Sequence, residues 1–500
     1  MFSAEASKGV WPVLLCAIFV GMVFGAEKER VFDISGWGGY EFGQIMKGTG
    51  KYGDLNKEWL QRAYGQITVD GKVRERGHCL LSFESMYNFS EPLIDNSDAT
   101  KKPMNFFYFN EVQGTYAWGD LEKPWLSLAF GYFPYKYNPD ARNLGEYLYR
   151  SGTYPPYILT NFDFPMTREL GAHVSGRYYP IGALELAGDM LFTTESQHFP
   201  PGDFTLALLP GASLLDGFFD IQGGVSLVRL FSINSSRTQP HDSRSCYRID
   251  STATTDPATG LITTRYDSSF YTFAGTKLMG RFGFDPLKFI KRKADARALF
   301  WKEDFKLYGE TALLGLKDYP ENLGKNFSYD KKTERMPVML GINLPTYPLA
   351  AGLLPGILGM SLERSRNQKT IAGSVLGAAG IIWGLTSWLG DRYLHWNSRI
   401  DLIAFEWEYF GWKYPDDYTM AFDDMLPIPA DSRFDADYTK DDQKWSLYIR
   451  KDFLNVFSLR VQLARDHMRP ISNDSKASYK GAVLATPEDW YWMAKISYGF

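Results

Sequence analysis

The sequence is poor in the residues that most often build metal and nucleophilic centres. It has six histidines and three cysteines in 500 residues, and the histidines are too scattered for a metal cluster. It contains neither a G-x-S-x-G nucleophile elbow nor a P-loop. His173 and Ser175 share one predicted strand face, but two residues at that spacing do not make a catalytic set. The sequence therefore predicts no enzyme, no metal and no cofactor.

An excess of charge of one sign is also missing. Lys and Arg together number 54 against 58 Asp and Glu, a formal net charge of −4, so nothing indicates a nucleic-acid partner. The mean hydropathy of −0.27 excludes a protein that is a helical membrane bundle throughout, because such bundles need many long apolar runs. What remains is a chain of mixed polarity without an obvious reactive centre.

The N-terminal segment carries one of the few long uncharged runs. Lys8 precedes an uncharged stretch at residues 10–26, which ends in small residues and is followed by "EKER". This pattern predicts a secretory signal peptide at residues 1–26, with an uncleaved anchor as the alternative. Removal of that segment would remove Cys16 and leave Cys79 and Cys246. Two cysteines do not make a disulfide framework, and their pairing stays open.

Aromatic residues and glycine are abundant instead. The chain has 31 Tyr, 35 Phe, 14 Trp and 46 Gly. Its last residues, "WYWMAKISYGF", alternate between apolar and polar or small side chains. A period of two predicts a strand with two unlike faces. The apolar face of this final strand consists of Trp492, Ala494, Ile496, Tyr498 and Phe500.

The same alternation recurs in sixteen segments along residues 27–500. They start near residues 31, 60, 77, 104, 124, 167, 183, 204, 218, 269, 303, 333, 398, 443, 456 and 488, and the eighth is the weakest because it contains Pro210. Connections after odd-numbered segments are mostly long and polar, whereas several after even-numbered segments are tight. We expect an all-β fold, a single transmembrane antiparallel barrel of about sixteen strands. A soluble β-sandwich explains the alternation but not the terminal Phe500, nor the aromatic residues at strand ends, Trp125, Tyr132, Tyr178, Tyr179, Trp412 and Trp490.

The terminal strand resembles that of bacterial outer-membrane porins of about sixteen strands. In that family the last strand ends in an aromatic residue preceded by alternating apolar positions, as at Tyr498 and Phe500 here. The resemblance implies export to the outer membrane of a Gram-negative cell, contact with outer-membrane lipid and recognition by the assembly machinery. It also implies a channel for passive diffusion of small polar solutes, with a homotrimer left open. The alternative is a closed or plugged structural or adhesive barrel without transport.

The segment at residues 135–166 is the third outer connection. Resemblance to porins implies that it folds into the barrel and narrows it. It carries charges of both signs among several tyrosines, so it could set a field across a pore, although a surface loop packed on its own aromatics is the alternative. The charged residues of this segment are Asp140, Arg142, Glu146 and Arg150.

Charged residues also fall on the predicted inward faces of the strands. They form either the polar lining of a water-filled pore with weak ion preference or salt-bridge ladders that stiffen the barrel wall. The basic ones are Lys277, Arg281, Arg450, Arg460 and Lys495, and the acidic ones are Glu185, Asp189, Glu310, Glu406 and Glu408.

Two connections depart from the pattern. Residues 344–397 contain two uncharged runs, which favour a helical insertion at the periplasmic mouth; two extra strands, giving eighteen, or an anchor to a partner are the alternatives. The outer connection at residues 414–442 has nine aspartates and two basic residues. Without EF-hand spacing, a solvated acidic loop is favoured over a cation site.

Overall fold

The computed structural model contains a closed antiparallel β-barrel. It describes residues 31–48, 56–73, 75–90, 104–120, 123–148, 167–194, 203–232, 245–255, 262–272, 275–289, 300–313, 316, 333, 336–346, 400–409, 420–421, 426–427, 443–453, 456–466, 484 and 487–499. Sixteen strands form the barrel, in agreement with the number expected from the alternation. Their order around the wall is β1-β2-β3-β4-β5-β6-β7-β8-β9-β12-β13-β14-β15-β18-β19-β20.

The elements follow the chain in order. They are β1 (Val31–Lys47), β2 (Trp59–Val73), β3 (Gly77–Ser90), β4 (Met104–Gly119), β5 (Pro124–Tyr135), β6 (Thr167–Ile181), β7 (Leu184–Thr194), β8 (Asp203–Leu214), β9 (Phe219–Ser232), β10 (Ser245–Thr255), β11 (Ile262–Thr272), β12 (Gly275–Phe284), α1 (Pro286–Phe289), β13 (Leu307–Leu313), β14 (Val338–Leu344), β15 (Leu402–Tyr409), β16 (Met420–Ala421), β17 (Leu426–Pro427), β18 (Gln443–Phe453), β19 (Phe457–Arg465) and β20 (Trp490–Gly499).

The last strand illustrates why the wall has two faces. Ile496 and Tyr498 are 49 % and 43 % exposed, whereas Tyr491 and Lys495 are at most 5 % exposed. Because side chains alternate along a strand, the apolar set points outward and the other set points into the barrel. The predicted apolar face of this strand is therefore the outer face; Phe500 lies outside the described residues.

The barrel closes by pairing its first strand with its last. β1 pairs with β2 on one side and with β20 on the other, and β20 also pairs with β19. This arrangement leaves the main sheet without a free edge. In hydrocarbon every backbone N–H and C=O needs a partner within the protein, and closure supplies it.

One strand prediction needs correction, and the weakest one is confirmed. The segment predicted to start near residue 269 straddles two elements, because β10 and β11 pair with each other in a separate hairpin. The barrel strand there is β12, which starts at Gly275. The eighth segment is a full strand despite Pro210. In the register with β9, Leu208 pairs with Val225 and the next pair joins Gly211 to Gln222. The interruption between these two pairs accommodates Pro210, which has no N–H to donate.

The short turns lie together at one end of the barrel, where the longer connections after β12 and β14 also lie. Val73 and Gly77 join β2 to β3 by a short turn, and Phe453 and Phe457 do the same for β18 and β19. At that end α1 begins after Asp285, whose Oδ1 accepts the N–H of Leu287 at 3.2 Å, a side-chain cap of the helix start. The predicted insertion at residues 344–397 lies outside the described residues beyond 346.

Adjacent residues on opposite faces of β2 give a matched test of this orientation. Ile67 is exposed on the outer face, whereas the Thr68 hydroxyl donates inside the barrel to Ser82 Oγ at 3.0 Å. We expect Ile67→Lys to lower the free energy of unfolding in lipid vesicles by about 2–4 kcal/mol, the cost of a cation near the bilayer midplane. Thr68→Lys should cost less, as measured by urea titration. Equal losses would contradict the assigned faces.

Candidate functional site

The chain after β5 turns into the barrel. Residues 136–148, called here the inner loop, include Leu144 and Tyr147, which are fully buried. Both belong to an apolar cluster with Met279 of β12. The neighbouring Leu278 is exposed on the outer face, so Met279 points inward. The inner loop therefore lies against the inside of the wall; residues 149–166 of the predicted constriction segment lie outside the described residues.

Glu406 of β15 binds the middle of the inner loop through backbone groups. The N–H of Arg142 donates to Oε1, and the N–H groups of Asn143 and Leu144 both donate to Oε2 at 2.8 Å. The Tyr308 hydroxyl adds a bond to Oε1 at 2.9 Å. Glu406 is only 1 % exposed, so these four donors replace the water that a buried carboxylate would otherwise lack.

Two further glutamates continue the series. The N–H of Gly145 donates to Glu408 Oε2 at 3.2 Å. The N–H groups of Glu146 and Tyr147 donate to the two oxygens of Glu310 at 2.9 and 2.5 Å. Six consecutive backbone N–H groups, at residues 142–147, are thereby bound by three carboxylates of the wall. The Tyr147 hydroxyl also donates to Glu408 Oε2, at 2.8 Å.

Strand register explains how the three carboxylates come together. Glu310 of β13 and Glu408 of β15 flank the same position of β14. One level away, Tyr308 and Glu406 flank Gly341 of β14 in the same way. A Cβ on Gly341 would lie 2.1 Å from the Tyr308 ring. The missing side chain therefore lets the tyrosine lie across β14 and reach Glu406.

The backbone of the inner loop is shaped for these contacts. Gly145 and Glu146 have φ values of +88° and +65°. A Cβ on Gly145 would lie 2.8 Å from Glu310 Oε2, so this position needs glycine both for its conformation and for its close approach. Successive N–H groups in such a turn form a concave anion-binding surface. Here the anions are side chains of the protein itself.

Side chains bind the same segment from several strands. Lys277 Nζ donates to the last two backbone carbonyls of the inner loop, at 3.0 and 2.8 Å. Asn143 Nδ2 donates to Asp466 Oδ2 at 2.7 Å, beyond the end of β19. Asp140 forms an ion pair with Lys306. The inner loop is therefore bound to widely separated parts of the barrel.

The Glu146 carboxyl is itself enclosed. Its Oε1 accepts the N–H of Tyr137 at 2.9 Å. Burial, with the nearby Glu310 charge adding to it, raises the pKa of Glu146 to about 8, although the Tyr137 bond acts in the opposite direction. The Glu146 carboxyl is therefore mostly protonated at neutral pH when the inner loop is in place.

A second polar group lies across β1, β2 and β20. Glu41 forms an ion pair with Arg62 and another with Lys495 at 3.4 Å. The Lys495 ammonium lies 4.3 Å from the centroid of the Tyr64 ring and 5.1 Å from that of Trp37. The two aromatic faces thus help to stabilise the buried Lys495 ammonium, which shares the Glu41 carboxylate with Arg62.

Most charged residues singled out in the sequence face the interior. Glu406 and Glu408 do so beneath the inner loop, and Arg281 Nε donates to Gln222 Oε1 at 2.7 Å. Arg150 lies outside the described residues. The two β6 residues that share a face in the sequence have different partners. His173 contacts Asp189 at 2.8 Å, and Ser175 contacts Ser127 at 2.5 Å.

Several binding residues were not found from the sequence. These are Tyr308, Gly341, Asn143, Lys306 and Asp466. The E-x-E pattern on the inward face of β15 was visible, but its partner segment lies 264 residues away in the chain. A single sequence contains no signal for a contact at that distance.

Within the described ranges, no group of three or more His, Cys, Asp or Glu residues could hold a metal ion. No helix in that part of the chain is long and apolar enough to cross a membrane.

Comparisons with known proteins return structures but no sequence relatives. No protein-family model and no curated protein match the chain. Among solved structures, the OmpF porin of Salmonella typhi in complex with daunomycin aligns with a TM-score of 0.39 and 10 % identity, covering 94 % of this chain and 100 % of that one. A triple mutant of the Rh. blastica porin aligns with a TM-score of 0.36, 6 % identity and the same coverage. The assignment of a closed barrel rests on the strand order and register.

The Glu406 contacts predict a large effect of a single truncation. In Glu406→Ala, three loop N–H groups and the Tyr308 hydroxyl lose their acceptor. Because hydrogen bonds to charged groups are worth about 1.5–3 kcal/mol each and are not additive, we expect the free energy of unfolding to fall by at least ~3 kcal/mol. Trypsin should also cleave after Arg142 in the folded variant. Glu185→Ala is the control, because Glu185 is a half-buried wall carboxylate near Arg177. This variant should show neither the loss of stability nor the cleavage. Cleavage in both variants would contradict the attachment of the inner loop through Glu406.

The raised pKa of Glu146 predicts a pH dependence. A carboxyl whose pKa is higher in the folded than in the unfolded protein destabilises the fold as pH rises from about 4.5 to about 8. Glu146→Gln should therefore be more stable than the parent above pH 8. The difference should shrink toward pH 5, as measured by thermal unfolding. Glu185→Gln serves as the control, and a difference independent of pH would argue against a buried, protonated Glu146.

Proposed function

We propose that this protein is a porin-type channel of the outer membrane through which small polar solutes diffuse passively. The observation that carries this proposal is the inner loop, which is fixed by its backbone to charged side chains inside a closed barrel. A loop placed there narrows the lumen at a defined level. Its position allows the barrel to discriminate solutes by size.

The outer face of the barrel supports a membrane location. Exposed apolar residues occur on the outward positions of the strands, and aromatic residues lie near both ends. Trp125, Tyr178 and Tyr179 are exposed at the end with short turns, and Trp59 and Tyr409 are exposed at the opposite end. Aromatic girdles at two levels suit the two interfaces of a bilayer.

The inner face supports a lumen that admits water. Arg281 and Arg460 are half-buried on described inward positions, and Gln113 and Gln222 are buried there, so polar side chains occur inside four different strands. A lipid-facing wall with a polar interior is the arrangement of water-filled barrels.

Export and assembly complete the proposal. Residues 1–26 would direct the chain across the inner membrane and be removed. The outward set Trp492, Ala494, Ile496, Tyr498 and Phe500 would be recognised by the outer-membrane assembly machinery. Outer-membrane lipid is the surrounding partner, and a homotrimer is the proposed oligomer.

A closed structural or adhesive barrel is the second candidate, because apolar clusters occupy two sides of the interior. One contains the inner loop. The other contains Leu484, from the connection between β19 and β20, packed with Tyr448, Tyr491 and Met493. If these two groups met in the lumen, they would block diffusion.

Single-channel recording in planar bilayers separates the two candidates. We expect stable steps from the refolded protein, and larger steps from the double variant Glu406→Ala/Glu408→Ala, because the inner loop loses its acceptors on β15. Glu185→Ala is the control, at a carboxylate that binds no part of that loop. Absence of steps from both the folded parent and the double variant would favour the structural barrel, whereas steps from the double variant alone would mean that the inner loop closes it.

A further inference from the structure

The Glu146 carboxyl lies where a charged group is poorly accommodated. The residue is 2 % exposed, and its backbone is held in the left-handed region with a φ of +65°. Oε1 accepts the N–H of Tyr137 at 2.9 Å, but Oε2 has no hydrogen-bond partner in the described part of the chain. A buried carboxylate with an unsatisfied oxygen is costly, and a proton on the carboxyl lowers that cost.

A second carboxylate makes a charge on Glu146 still less favourable. The backbone N–H of Glu146 donates to Glu310 Oε2 at 2.9 Å, and that of Tyr147 donates to Glu310 Oε1 at 2.5 Å. Glu146 is therefore held in place by the same carboxylate that would repel its ionised side chain. Like charges in a buried site repel more strongly than in water. Ionisation of Glu146 would thus push this residue away from the strand that binds it.

Other charged and titratable groups face this part of the inner loop. Lys136 and the N–H groups of Tyr137 and Asn138 favour the ionised form of Glu146, but burial and then the Glu310 charge outweigh them and raise its pKa to about 8. The remaining groups come from the wall and are Tyr135 of β5, Lys277 and Arg281 of β12 and Glu408 of β15. The balance of these groups leaves the neutral acid favoured in the docked loop.

We propose that Glu146 is a pH-sensitive switch: loss of its proton, as the solution becomes less acidic, loosens the inner loop from the wall and widens the channel. This inference rests on the proposed channel function and adds its regulation. The carboxyl has its ordinary pKa when the loop is released and a raised one when it is docked. The attachment is therefore strongest below about pH 4.5, weakens as pH rises to about 8, and changes little above that value.

The position of Glu146 in the loop determines which bonds respond. It lies between Gly145, whose N–H donates to Glu408, and Tyr147, whose N–H donates to Glu310. Displacement of this one residue therefore breaks three consecutive backbone bonds to two strands of the wall. The N–H groups at residues 145–147 should report the switch directly.

Amide hydrogen exchange of the folded protein in detergent tests the switch without requiring conduction. After correction for the intrinsic pH dependence of exchange, the protection factors at residues 145–147 should fall by up to about tenfold per pH unit between pH 5 and 8, the limit for release coupled to one proton. Glu146→Gln keeps the shape of the side chain but cannot ionise, so its protection factors should stay nearly constant. Glu185→Gln, at a carboxylate elsewhere on the wall, should behave like the parent.

Single-channel recording at the same pH values and a constant salt concentration tests the consequence for transport. The conductance steps of the parent and of Glu185→Gln should grow between pH 5 and 8. Those of Glu146→Gln should keep one size. Heat-dependent migration in detergent gels would verify that each variant is folded.

The outcomes separate this inference from the proposed function. Protection factors of the parent that do not change with pH would overturn the switch. A pH dependence that persists in Glu146→Gln would overturn it as well, because another group would then be titrating. Conductance steps of constant size in a parent whose protection factors fall would refute the widening of the channel. If no folded variant conducts at any pH, the channel proposal fails, and the exchange measurements alone decide whether Glu146 controls the attachment of the loop.

Discussion

Six backbone N–H groups of the inner loop need acceptors once that loop has left water, and three wall glutamates supply them. This constraint explains why Glu310, Glu406 and Glu408 occur on inward positions of β13 and β15. It explains why residue 145 is glycine, since a Cβ there would meet a carboxylate oxygen at 2.8 Å. Wall and loop each satisfy groups that would be costly if buried alone. The contact between the inner loop and the wall is therefore a polar assembly.

The same contacts determine which acidic side chains remain open to the interior. Glu310, Glu406 and Glu408 are at most 2 % exposed, because their oxygens accept the N–H groups of the inner loop. Glu185 is half-buried beside Arg177 instead. The binding of one segment thus decides which charges of a nearly neutral sequence are covered.

The fold was far easier to predict than the site. A period of two is local, and each barrel strand could be found from its own residues. The start of β12 was displaced furthest, because the β10–β11 hairpin precedes it directly. The site depends on register between distant strands. The bond from Arg142 to Glu406 joins residues 264 positions apart, and Tyr308 reaches Glu406 only because Gly341 lacks a side chain. Such contacts have no local pattern.

The position of the inner loop also bears on how the wall holds together. β13 and β14 have 7 residues each, fewer than the roughly 9–11 that a tilted strand needs to cross a bilayer. Their mutual ladder contains five residue pairs, and the inner loop binds Glu310 behind this stretch. Loop and wall thus stabilise each other where the wall is shortest. Docking at this place makes the position of the inner loop inseparable from the stability of the barrel.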